Sequence, residues 1–332
     1  MKRIVLLLSI SVLAVVILVF VRQAEAQQAG KVYRVGYLRL GAGSPTSSSG
    51  YMGFRQGMRE LGYVEGQNYV LEYRSAERKR ERLPEIAAEL VRLKVDVIVT
   101  SAGPAIRAAK RATSTIPIVM LGGSELNPVA AGLVASLARP GGNMTGLIKL
   151  AGQLHGKRLE LLKEVSPRLS RVAILWPGGQ QKQAMKEVKA VGQALGIQIQ
   201  SFLIATRLDQ LESAFSAINR DLPHALLVAT VRAALNHRAR VIDFANKRQL
   251  LTIFDQSLFV TAGGLMSYGV DHPALYRRAA TYVDKILKGA KPADLPIEQP
   301  REFKLVINLK TAKRLGLTIP PTALYRADKV IK

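Results

Sequence analysis

An α/β fold with two doubly wound, Rossmann-like lobes is the architecture this sequence predicts. Short β-branched apolar runs alternate with longer stretches of helical period along nearly the whole chain, which is the rhythm of βα units in a parallel sheet. That rhythm comes as two consecutive series with a polar stretch between them. Each parallel sheet needs crossover helices on both faces, so two series imply two sheets. Removing a 26-residue leader from the 332 residues leaves 306, too many for one small core and the size of two ordinary α/β domains.

The first series opens on a strand over residues 32–38 and a helix over 50–61 that ends at Gly62, where a C-cap glycine is expected. Residues 69–73 alternate as a second strand. A helix over 84–93 has Pro84 at its start, and the β-branched run 95–100 is of the kind a parallel sheet buries on both faces. Helix 104–112, strand 116–121, helix 129–138 and strand 145–148 complete the series, the last two separated by the turn Arg139-Pro140-Gly141-Gly142-Asn143. In the second series a helix near 155–165 leads into strands 172–176, 197–203, 225–229, 251–254 and 265–268. Helices near 183–195, 208–219 and 233–247 separate them.

Residues 1–26 have the order of a secretion signal: Lys2-Arg3, an apolar run from Ile4 to Val21 broken only by Ser9 and Ser11, and Ala24-Glu25-Ala26 before Gln27. Cleaved after Ala26, the protein diffuses in the periplasm; uncleaved, the apolar run is just long enough to tether it to the inner membrane. ATP and nicotinamide cofactors are scarce there, so this alternation of strands and helices suits ligand binding better than cofactor chemistry. The chain contains no cysteine, which excludes disulfides and a lipid-modified Cys after the signal.

The formal charge is +24, and without the leader 45 basic residues still face 23 acidic ones. Such a bias draws nucleic acid, anionic membrane or acidic ligands. The densest cluster, Arg74, Arg78, Lys79, Arg80 and Arg82, is interrupted by Glu77 and Glu81 and lacks interleaved aromatics. It reads as a solvated basic surface, and no nucleic-acid partner is expected. Enzyme signatures are missing too: His155, His224, His237 and His272 are widely spaced, and there is no G-x-S-x-G elbow or P-loop. In Gly41-Ala42-Gly43-Ser44-Pro45-Thr46 a threonine occupies the third glycine position of a dinucleotide loop. No cofactor, no metal and no catalysis are expected.

Several stretches resemble a family. Phe54-Arg55-Gln56-Gly57 through Gly62-Tyr63-Val64-Glu65-Gly66-Gln67-Asn68, Ala112-Thr113-Ser114-Thr115-Ile116-Pro117-Ile118-Val119 and Leu133-Val134-Ala135-Ser136-Leu137-Ala138-Arg139-Pro140-Gly141-Gly142-Asn143 are three of them. Gly263-Gly264-Leu265-Met266-Ser267-Tyr268-Gly269 and residues 304–321 are the others. Together they resemble the ABC-transporter substrate-binding family related to tryptophan- and tyrosine-binding proteins. The resemblance implies a type I periplasmic-binding fold whose lobes close about a hinge of crossing strands. It places residues 31–147 plus 271–287 in lobe 1, and 150–268 plus 300–332 in lobe 2. The implied partners are a small-molecule ligand, an amino acid or related carboxylate, and an inner-membrane ABC permease, with the receptor acting as a monomer.

Ligands of such sheets sit beyond the carboxyl ends of strands. A carboxylate needs donors, and a helix start supplies free N–H groups with a favourable dipole. Ser101-Ala102-Gly103-Pro104-Ala105 is such a start: Ser101 offers a hydroxyl, Gly103 lets backbone approach closely and Pro104 begins the helix. The same residues also suit an ordinary helix cap. The resemblance puts Gly43, Ser44 and Thr46 of the first loop at the cleft. In Gly122-Gly123-Ser124-Glu125-Leu126-Asn127-Pro128 it implies a shorter connection with aspartate where Asn127 stands, so Asn127 would only hydrogen-bond, and either Glu125 supplies the charge for a ligand ammonium or the ligand is not an amino acid. Trp176 offers a flat face for a ligand or a core side chain. Asp255 is expected as a polar contact, with Tyr268 and Phe254 near strand ends beside it.

The leading expectation is thus a periplasmic solute receptor. An envelope sensory or interaction protein without a transport role is the alternative, favoured by a retained anchor. A basic envelope protein that binds polyanions is the third reading and predicts loss of binding in salt.

Overall fold

The computed structural model describes residues 31–42, 49–122, 127–148, 152–177, 182–204, 207–229, 232–300 and 302–332. Lobe 1 runs β1 (Tyr33–Arg39), α1 (Ser49–Glu60), β2 (Tyr69–Ser75), α2 (Leu83–Arg92), β3 (Val97–Ser101), α3 (Gly103–Ala112), β4 (Ile118–Gly122) and β5 (Met144–Ile148). All its strand pairs are parallel, in the order β2-β1-β3-β4-β5. Val97, Ile98 and Val99, like Ile118, Val119 and Met120, are fully buried because helices cover both faces of the sheet. The strand order reverses beside β1 and β3, which opens a crevice at their carboxyl ends.

Lobe 2 continues with α4 (Gly152–Val165), β6 (Arg171–Pro177), α5 (Lys182–Ala194), β7 (Gln198–Ile204), α6 (Leu208–Asp221) and β8 (Ala225–Val228). Then come α7 (Arg232–Asn236), α8 (Arg238–Lys247), β9 (Leu251–Phe254), α9 (Ser257–Thr261), β10 (Met266–Val270) and α10 (His272–Leu287). The chain ends on β11 (Phe303–Asn308), α11 (Leu309–Arg314), α12 (Pro321–Tyr325) and β12 (Lys329–Ile331). Its sheet has the order β12-β11-β10-β9-β8-β6-β7, with β10 and β11 antiparallel and the other pairs parallel.

The helix α10 follows a lobe 2 strand but packs on lobe 1. Leu275, Ala279, Tyr282 and Val283 join the core that holds Tyr37, Phe54 and Met58. Glycines on α1 permit this docking. A Cβ at Gly53 would stand 2.4 Å from the Pro273 carbonyl oxygen, and one at Gly57 would stand 2.5 Å from that of Arg277. The backbones therefore approach as closely as they can only because no side chain intervenes. The chain passes between the lobes after Ile148, between Val270 and His272, and between Glu298 and Phe303. Backbone bonds tie these passages side by side, Ile148 N–H donating to the Glu298 carbonyl at 2.9 Å and Asp271 N–H to that of Glu302 at 3.3 Å.

Two expected elements differ. Residues 129–138 form turns rather than a helix. Gly132 adopts φ 65° and closes a single turn whose Gly132 N–H donates to the Val129 carbonyl at 3.0 Å. Leu133 and Val134 then fall inward as buried side chains, satisfying their hydrophobic pattern without a helix. The expected helix 233–247 is two helices, broken at His237, whose backbone (φ −114°, ψ 35°) is not helical. The sequence reading also left out α9, β11, α11, α12 and β12.

Candidate ligand-binding cleft

A cavity of about 430 Å³ lies between the lobes. From lobe 1 it takes the end of β1 (Tyr37, Arg39), the start of α1 at Gly50, Ser101 at the end of β3 and Ala102 after it. From the other side it takes Asp255 and Gln256 after β9, Ser267 and Gly269 on β10, and Lys304 on β11. Both sheets thus present the carboxyl ends of strands to one space, the position where open α/β sheets bind ligands.

On the lobe 1 wall, Ala102 holds φ 72° and ψ 134°, a positive-φ conformation that costs an L-residue about 1–3 kcal/mol. That residue is the N-cap of α3, so the helix starts two residues after Ser101, and no side chain caps it. Beside it, Tyr276 from α10 shares hydrogen bonds with Ser101 and Tyr37, and burial raises its hydroxyl pKa. Gly50 makes room for that ring, since a Cβ there would meet Tyr276 Cε2 at 2.8 Å. Arg39 lies along Gly41 and donates to the Tyr73 hydroxyl at 3.2 Å.

On the lobe 2 wall, Gly269 is required: a Cβ would stand 1.9 Å from the Asp255 carbonyl oxygen, so β10 can cross the end of β9 only with glycine. Asp271 caps α10 through its bond from Ala274 N–H, 3.4 Å, and pairs with Lys304 at 2.5 Å. That carboxylate holds the Lys304 ammonium above its ordinary pKa. Beneath Asp255 the guanidinium of Arg158 is buried, donating to the Tyr268 carbonyl at 2.7 Å and bonded to His155 Nδ1 at 2.8 Å. Burial lowers the Arg158 pKa, and the Asp255 charge opposes that shift. The His155 pKa is pushed down to about 3, by burial first and by Arg158 second.

Of the residues expected at the site, Ser101 and Asp255 line this cavity. Gly103 is one residue beyond its lining, and its Cβ position faces Arg107. Pro104 lines a separate groove on the outer side of lobe 1. Asn127 is exposed, and its side-chain oxygen accepts from Val129 and Ala130 N–H at 3.1 Å, as a turn cap. Trp176 is 0 % exposed within the lobe 2 core, its indole donating to Ser201 Oγ at 3.2 Å and its ring edge-on to His155. Tyr268 packs its ring beside Phe303 and contributes its carbonyl to Arg158. Phe254 stacks on Phe259 in the core at 4.4 Å. Gly43, Ser44, Thr46 and Glu125 lie outside the described residues.

The sequence reading missed Tyr37, Arg39, Tyr276, His272 and Lys304, all at the cavity. The period-2 spacing of Tyr37 and Arg39 at the end of a strand was the available signal for the first two. Tyr276 and Lys304 arrive from distant elements, and no local pattern marks them.

The sequence profile of ABC transporter substrate binding proteins matches residues 43–331. A tyrosine-binding protein of Clostridioides difficile is 26% identical over 275 residues, 82% of this chain and 78% of the relative. A solved ABC domain from Streptococcus pneumoniae in complex with L-Trp is 26% identical with a TM-score of 0.78, covering 91% of this chain and 100% of that one. A conserved domain protein from Vibrio cholerae is 28% identical, also with a TM-score of 0.78, over 90% and 100% of the two chains. With its paired α/β lobes in the type I periplasmic-binding arrangement, this chain belongs to the ABC transporter substrate binding protein family.

Proposed function

We propose that the protein is an extracytoplasmic solute receptor that holds an amino acid or related carboxylate between its lobes and delivers it to an ABC permease. The observation that carries this reading is the cavity itself, which is built from strand ends of both sheets and is polar at opposite walls. The ligand carboxylate meets Ser101, the uncapped start of α3 and Arg39; its ammonium faces Asp255. Contacts to both walls exist together only when the lobes are shut, so the ligand shifts an open–closed equilibrium toward closure. The binding of L-Trp and tyrosine by relatives supports a ligand of this class. The apolar run and small-residue site in residues 1–26 support export.

A thermal-shift screen of the exported chain against amino acids, small carboxylates, nucleobases and sugars tests the proposal. A cleft ligand raises the melting temperature with concentration. Ser101→Ala and Asp255→Asn then weaken that ligand, each by about tenfold or more, because each leaves a charged ligand group without its partner. If no small solute raises the melting temperature, the receptor reading fails; if affinity is unchanged in both variants, the assignment of the two walls fails.

A further inference from the structure

The basic cluster that stands out in the sequence divides in the fold. Arg74 is engaged with Glu72 and Glu89. Arg80, in contrast, sits at the rim of a second cavity, a groove of about 350 Å³ between α2 and α3 on the outside of lobe 1. Arg107 and Arg111 line the same groove from α3. These two are one helical turn apart and so project along one line. All three arginines are exposed, and among the described residues none of them forms an ion pair and no carboxylate lines the groove. Its floor is apolar, made by Leu83, Ala88 and Ala108. The groove shares no lining residue with the interlobe cavity.

We propose that this groove is a docking site for an acidic polypeptide segment carrying an apolar anchor residue. Three exposed guanidinium groups around an apolar floor match a chain whose carboxylates flank a leucine-like side chain: the charges select and orient it, and the floor gives the anchor a place to leave water. The concave shape disfavours a flat bilayer surface. With no aromatic side chain in the lining, bases have nothing to stack on.

The test uses the full mature chain and a fluorescein-labelled decapeptide of eight glutamates around a central leucine pair, read by anisotropy at physiological ionic strength. Saturable one-to-one binding is expected, and Arg107→Glu/Arg111→Glu weakens it by about tenfold or more, because two charge partners become repulsive. The control Arg238→Glu/Arg248→Glu makes the same change in net charge on exposed lobe 2 positions, and it is expected to shift affinity by less than about twofold. Replacing the leucines of the peptide by serine weakens binding severalfold. Equal losses from the two double variants would overturn the proposal, since only net charge would then be at work. So would groove-dependent binding of an oligonucleotide of equal charge, or of phosphatidylglycerol vesicles, that exceeds binding of the peptide. Both double variants alter exposed side chains only, and unchanged melting temperatures check that they fold.

Discussion

The imidazole of His155 occupies a place where a proton is costly: it is buried, edge-on to Trp176 and bonded to the guanidinium of Arg158. Its pKa is about 3 in the folded chain against 6.5 for a free imidazole. Between those values the unfolded chain binds a proton that the folded chain refuses, so stability rises with pH through that window and falls as the solution is acidified. The loss is about 1.4 kcal/mol per pH unit below 6.5, so roughly 2–3 kcal/mol separates pH 4.5 from neutrality for this one group. Urea unfolding at the two pH values measures it; His155→Gln, which keeps an acceptor for Arg158, flattens the dependence by that amount. At this scale the site was partly readable. Ser101 and Asp255 follow strands whose apolar runs are unmistakable, and the residue after such a run reaches the cleft. Trp176 and Tyr268 end strands just as plainly, yet the side to which a strand-end side chain turns depends on sheet packing. The core took the Trp176 indole, and Phe303 took the Tyr268 ring.

Among the elements, the docking of α10 on α1 does most to bring the lobes into one site, since it carries Tyr276 and Asp271 to the cavity. It depends on backbone contact at Gly53, where a Cβ would come within 2.4 Å of the Pro273 carbonyl. Gly53→Ala therefore forces the two helices apart and destabilises the protein by about 1–3 kcal/mol, measured as a lower urea midpoint. Alanine is the better helix former, so the opposite sign would show that the helices do not meet there. Strands and long helices were readable because their burial imposes a period on the sequence. Residues 129–138 carry apolar residues at helical spacing too, but Gly132 turns the chain left-handed after one turn and the tertiary contacts of Leu133 and Val134 satisfy the pattern instead. The crossing passages at Val270–His272 and Glu298–Phe303 have no periodic signal, so the exchange of α10 between lobes came from family resemblance rather than from rhythm.

For the whole molecule, two largely parallel sheets, joined by three chain passages, face one cavity between them, and the proposed closure about a shared ligand rests on that arrangement. The passages are held to one another by backbone bonds such as Asp271 N–H to the Glu302 carbonyl, 3.3 Å, so rotation of the lobes about them leaves each sheet intact. Because the chain has no cysteine, two introduced thiols label it cleanly. Glu85→Cys on α2 and Ser213→Cys on α6 place spin labels on exposed outer helices of opposite lobes. The interlobe distance distribution, recorded by double electron–electron resonance with and without the solute that raises the melting temperature most, tests the central claim directly. Closure about a shared ligand predicts a narrower distribution displaced by several ångströms at saturation, and its loss in Asp255→Asn at the same ligand concentration; a distribution unchanged while the ligand is bound would contradict it.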